Sequence, residues 1–160
     1  MNRFDQNQGD IWMNYEKIII NTLDSFGVSR SYTGYNYVVY ALLLTLEDNE
    51  RIECITKTLY LDVAEHFHTT WSCVEKNMRT VVNHVWDSHN TQLLETIFNR
   101  SGRSKKPTNK EFLKYMYDYV IQFGNEVQIA DRKLPVICPI SNSYCEALSV
   151  FYIKLTRMID

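Results

Sequence analysis

The sequence predicts a mainly α-helical bundle containing a helix-turn-helix, and three observations point there. Apolar residues recur at three- and four-residue spacing along most of the chain. Glycine and proline are scarce, 5 and 3 among 160 residues, too few for a many-turned β-sandwich. Polar residues suited to helix N-caps stand in front of several apolar stripes. The length fits one domain, and a chain of this size buries roughly two thirds of its unfolded surface. A composition 45% hydrophobic and 22% charged is globular and not disordered. No apolar run approaches the roughly 20 residues of a membrane span, so no membrane association is expected. The opening MNRFDQNQGD lacks the apolar core of an export signal, which predicts a cytoplasmic protein. The cysteines at 54, 73, 138 and 145 form no CxxC pair and are expected to be reduced thiols.

The elements follow in order. Residues 1–9 are polar and expected to fray. Asp10 is placed to cap a helix whose stripe includes Ile11, Tyr15, Ile18, Ile19, Leu23 and Phe26, with Gly27 as its stop. After a linker, residues 34–47 form a strongly apolar, largely buried helix. Residues 50–59 are expected as a short helix, and Leu61 to Phe67 as a second one or its continuation. Thr69 or Thr70 caps the next helix, residues 70–86, and Ser72 with Glu75 also fits a capping box. Its buried stripe is Val74, Met78, Val81, Val82 and Val85. A further helix covers about 91–98, and NRSGRSKKP is a basic loop. Thr108 and Glu111 form a capping box for a helix running to about Phe123. Residues 126–140 read as a short hairpin around ADRK, and residues 142–158 as a final helix.

Charge is uneven. The net charge of −2 divides into −6 over residues 1–75, +5 over 76–110 and −1 over 111–160. The basic segment holds Lys76, Arg79, Arg100, Arg103, Lys105, Lys106 and Lys110. A basic segment in an acidic chain is a footprint for a phosphate backbone, or else a solvated loop.

The segment LYLDVAEHFHTTWSCVEKNMRTVV looks like a helix-turn-helix. Ala64 supplies a small residue where the helices cross, and Val63, Phe67, Val74 and Met78 supply apolar contacts. HTT supplies the turn and cap, and the second helix would enter the major groove. A plain helical hairpin gives a similar pattern.

The blocks GYNYVVYALLL, ITKTLYLDVAEHFHTTWSCVEKNMRTVVNHVW and KPTNKEF, in that order and spacing, resemble a known family. It is the C-terminal DNA-binding domain of the sporulation stage zero A response regulators, which govern endospore formation in Firmicutes. The resemblance covers about Gly34 to Val120 and implies an all-helical domain without a wing. Its implied partners are double-stranded DNA and an RNA polymerase sigma factor. It further implies that bases are read at Cys73, Glu75, Lys76 and Thr80. The family carries arginine at the first and third of these positions and histidine at the fourth. A guanidinium reads guanine by a bidentate fork that cysteine cannot offer and lysine copies poorly. The sigma-contacting stretch corresponds to about Leu94–Lys106. The family's phosphorylatable receiver domain has no counterpart in this sequence, nor do the residues from Gly124 onward have one in the family.

The expected organisation is therefore a flexible 1–9, a DNA-binding helical domain 10–123, and an extension 124–160 that packs on the core or forms a homodimer surface. Thr70, Ser72, Cys73, Glu75, Lys76, Arg79, Thr80 and Asn83 form the expected reading surface. Arg100, Arg103, Lys105, Lys106 and Lys110 would hold the phosphate backbone. The alternative is a protein-interaction module that modulates a sigma factor or regulator without specific DNA binding. Neither an enzyme nor a cofactor is expected, because no catalytic pair or glycine-rich phosphate loop is evident. His66 and His68, two residues apart, do not share a helical face as zinc ligands would. His84 and His89 read as surface or packing histidines. Trp12, Trp71 and Trp86 read as core or helix-edge packing.

Overall fold

The structure, a computed structural model, describes residues 3–99 and 105–131, with side chains placed over 13–99 and 105–124. Six α-helices occur among the described residues: α1 (Arg3–Ser25), α2 (Thr33–Glu47), α3 (Leu59–His66), α4 (Trp71–Trp86), α5 (Thr91–Phe98) and α6 (Asn109–Asp131). A 3-10 turn over Asn49–Ile52 links α2 to α3. The described residues contain no strand. The all-helical class read from the sequence is the observed one. The chain divides into two compact units, Met1–Ile121 and Gln122–Asp160, and the core described below belongs to the first.

Helix α1 starts at Arg3, so Asp10 lies inside the helix and not at its N-cap position. The physical reason is cooperativity. Once a nucleus exists, each added residue gains a backbone hydrogen bond, and polar residues sacrifice only up to about 0.7 kcal/mol of propensity. The predicted stop at Gly27 holds. Val28 N donates to Leu23 O at 3.1 Å and Gly27 N to Asp24 O at 2.8 Å. This is a Schellman ending, and Gly27 takes the left-handed φ of 75° that it requires. Val28 and Leu23, the paired apolar residues of that motif, are both buried.

Helix α2 is the centre of the bundle. Val38, Ala41 and Leu42 are fully buried, and α1, α3 and α4 all pack on it. Gly34 explains how closely α4 approaches. A Cβ there would stand 2.7 Å from the Asn77 carbonyl carbon and 3.0 Å from Val81 Cγ2. The expected helix over 50–59 is not formed. Asp48 caps the 3-10 turn through Glu50 N at 3.1 Å. Arg51 O is met by the Thr58 hydroxyl at 3.1 Å, while Cys54 O accepts Lys57 N and Thr58 N in an isolated turn that goes no further.

The capping box ahead of α6 forms in both directions: Glu111 N donates to Thr108 Oγ1 at 3.2 Å, and Thr108 N to Glu111 Oε2 at 2.8 Å. An aromatic cluster joins α4, α5 and α6, with Phe98 stacked on Phe112 at 5.7 Å and edge-on to Trp86 at 6.1 Å. Residues 126–131 continue α6, which overturns the first arm of the expected hairpin. Val127 and Ile129 favour strands, but the helix before them is already nucleated. The remainder of that hairpin and the helix expected at 142–158 lie outside the described residues.

Candidate nucleic-acid interface

Helices α3 and α4 form the helix-turn-helix unit. Its turn is a second Schellman motif: Thr69 N donates to Ala64 O at 2.9 Å and His68 N to Glu65 O at 3.2 Å. His68 occupies the left-handed position, at φ 51°, where glycine is the usual occupant. Thr70 is the N-cap, its hydroxyl accepting from Cys73 N at 3.3 Å. The Ser72–Glu75 box does not form, because Ser72 is already inside the helix and its hydroxyl sits 3.2 Å from that of Thr70.

One face of α4 carries Val74, Met78, Val81, Val82 and Val85, all buried. At 3.6 residues per turn the opposite face is the row Ser72, Lys76, Arg79 and Asn83, flanked by Glu75 and Thr80. Ser72, Glu75, Lys76 and Thr80 are exposed, whereas Cys73, Arg79 and Asn83 are half-buried. Lys76 has no ion pair among the described residues, and the Thr80 hydroxyl donates back to Lys76 O at 3.2 Å. Cys73 is engaged sideways: Asn77 Nδ2 donates to its carbonyl at 2.8 Å and to its Sγ at 3.3 Å. Arg79 Nη1 donates to Pro107 O at 2.9 Å, which ties α4 to the segment entering α6.

The basic flank lies beside acidic partners. Lys106 Nζ is 3.0 Å from Asp87 Oδ1. Lys110 Nζ is 2.8 Å from Glu53 Oε2 and also reaches Glu53 O at 3.0 Å. The Lys110 ammonium, with help from Lys114, holds the Glu53 carboxyl below its ordinary range. Lys105 is exposed. Arg100 and Arg103 lie outside the described residues.

Two residues seat α4 in a way the sequence did not specify. Asn109 is buried; its Nδ2 donates to Tyr60 Oη (2.9 Å) and to Glu75 O (3.0 Å), so one amide joins α3, α4 and α6. Burial pushes the Tyr60 phenol up. His84 Nε2–H donates to Gly27 O at 3.0 Å and its ring meets Tyr32 edge-on, which ties the last turn of α4 to the α1–α2 linker. Asn109 sits directly after the readable Pro-Thr cap, but nothing in that pattern says its amide turns inward. Trp71, at the start of α4, is 45% exposed and so lies at the helix edge rather than in the core. Trp86 does pack, at 9% exposure, and the Trp12 side chain lies outside the described ones.

His66 is stacked on Tyr40 at 4.0 Å. Among the described residues no three or more His, Cys, Asp or Glu side chains cluster to hold a metal ion. No helix among them is long and apolar enough to cross a membrane. Comparison with known families closes the description: the family described as "Sporulation initiation factor Spo0A C terminal" matches residues 19–120.

Proposed function

The chain belongs to the Spo0A C-terminal family, a DNA-binding regulatory domain of sporulation initiation and not an enzyme family, and from that premise we propose that it is a sequence-specific transcription regulator acting in the cytoplasm. In this reading α4 enters the major groove. The observation that carries it is the exposed row on α4, opposite the buried valines and presented by a Thr70-capped N-terminus. Lys76, flanked by Ser72, Glu75 and Thr80, reads base edges. Cys73 borders that row and Asn83 ends it, and Arg79 reaches phosphate or guanine with the donors that Pro107 leaves over. Arg100, Arg103, Lys105, Lys106 and Lys110 hold the phosphates. Exposed ion pairs such as Lys106–Asp87 are worth about 0–1 kcal/mol, so a phosphate can displace the carboxylate.

A sigma-factor contact would use the outer side of α5. Leu94, Ile97 and Phe98 are buried, and Gln92, Glu95 and Thr96 are left exposed. A homodimer contact would use the extension 124–160.

A second reading is a protein-interaction module that keeps the fold without reading bases. It is favoured by the inward engagement of Cys73 and by the carboxylates beside Lys106 and Lys110. Selection of binders from a random duplex pool at two salt concentrations separates the two. The regulator predicts an enriched short motif and a steep salt dependence. On that motif, Lys76→Ala costs about 1–3 kcal/mol of discrimination, while Lys105→Ala weakens all sequences alike. Equal loss on motif and random duplexes from Lys76→Ala removes its base-reading role. No binding at low salt favours the interaction module.

A further inference from the structure

Trp71 is the first residue of α4 and is 45% exposed. Its indole N–H has no hydrogen-bond partner among the described residues. An indole is among the largest apolar groups a chain can carry, and leaving it in water forgoes hydrophobic stabilisation. Trp86, at the other end of the same helix, is buried against Phe98. The first turn of α4 differs from the rest of the helix in a second way. Thr70 satisfies Cys73 N with its hydroxyl and Val74 N with its carbonyl, but the N–H groups of Trp71 and Ser72 have no partner among the described residues. This turn therefore presents two free backbone donors and a large apolar side chain together, with Ser72 and Lys76 exposed beside them.

Those features match a major-groove floor and its wall. Free N–H groups at a helix N-terminus suit a phosphate oxygen. The apolar group displayed in the major groove is the C5 methyl of thymine. The opening residues of a groove-entering helix are the ones that reach base edges. We propose that Trp71 contacts DNA directly and selects thymine at one position of the target by packing its indole against the C5 methyl group. This rests on the reading of α4 as a groove-entering helix. It adds an apolar determinant to a helix otherwise equipped with hydroxyl, carboxylate, ammonium and guanidinium groups.

The test uses the full chain and the duplex motif selected from the random pool. Trp71→Ala is compared with wild type on that duplex and on versions in which each thymine is replaced in turn by deoxyuridine, which removes only the methyl group. The expected result is an affinity loss of about tenfold for Trp71→Ala. One thymine-to-uracil replacement should weaken wild type several-fold and leave Trp71→Ala unchanged. The unfolding midpoint should fall by less than truncating a buried tryptophan would cost, since nearly half of the side chain is exposed. Undiminished affinity in Trp71→Ala overturns the proposal, as does a uracil effect equal in both proteins. A self-association that Trp71→Ala abolishes, with DNA affinity unaltered, also overturns it and assigns the indole to a second copy. If wild type selects no motif at all, the groove-entering reading fails and Trp71 with it. A motif that Trp71→Ala binds normally leaves that reading standing.

Discussion

His68 holds the turn between α3 and α4 at φ 51°, a conformation that glycine adopts without cost and other residues adopt at about 1 kcal/mol. His68→Gly should therefore leave stability unchanged or raise it by up to about 1 kcal/mol, despite glycine's greater unfolded entropy. Denaturant unfolding reads this directly, and a loss above about 1 kcal/mol would mean the imidazole makes a contact of its own. The same scale accounts for the departures on α4. Cysteine at 73 is short enough to stay half-buried beside Asn77, where a guanidinium would extend outward. In the proposed reading, base contacts therefore lean on Lys76 and its neighbours, without an arginine at 73. Asn109 shows the opposite economy: one buried amide supplies both hydrogen bonds that fix the start of α6 against α3 and α4.

At the scale of elements, the presentation of α4 depends on contacts behind it. Gly34 lets the backbone of α2 come against the backbone of α4 near Asn77. A methyl group there meets main-chain atoms, which cannot swing aside as a flexible side chain would. Gly34→Ala should cost about 1–3 kcal/mol of stability through overpacking and should lower DNA affinity by tilting α4. An unchanged melting temperature would show that the two helices have slack. Both ends of α4 are also tied: Arg79 to Pro107, Asn109 to the Glu75 carbonyl, and His84 to the Gly27 carbonyl. A helix that must present side chains to base edges gains from such fixing, because a misplaced helix loses several contacts at once.

For the whole molecule, charge and pH carry the expectations. The Arg30 guanidinium beside Asp24 holds that carboxyl below its ordinary range, with Tyr35 Oη donating to it at 3.0 Å. Glu53 is likewise depressed by Lys110. A carboxyl whose folded pKa lies below its unfolded one contributes stability above its unfolded pKa of about 4. That contribution is lost as the pH falls through the folded value. Burial, aided by Asp24, pushes Tyr35 up to about 12. The sign is reversed there: the contribution is full below the unfolded value near 10 and is lost as the pH rises through about 12. Unfolding measured from pH 2 to 7 should show an acid limb that Asp24→Asn and Glu53→Gln each flatten. Both pairs are exposed, so the effect of each is modest. A limb unaltered in both variants would assign acid sensitivity to other carboxyls.

The sequence by itself determined the helical class and the family; it placed the Gly27 stop and the Thr108 cap, and narrowed the α4 cap to Thr69 or Thr70 beside a rival Ser72–Glu75 box. The reason is that helix period, capping and turn chemistry are local: they act between residues a few positions apart, so a linear pattern records them. The N-terminal limit of α1, the broken segment before α3 and the extension of α6 past Phe123 were not legible. Cooperative helix growth and side-chain competition decided them by margins smaller than propensity resolves. The seating of α4 was decided by the tertiary structure alone. Gly34 meets Asn77, Arg79 meets Pro107, His84 meets Gly27 and Asn109 meets Glu75, contacts joining residues 28 to 57 positions apart in the chain. Exposure of Trp71 was decided there too, because an indole at a helix start is buried or bare according to what the rest of the fold places beside it.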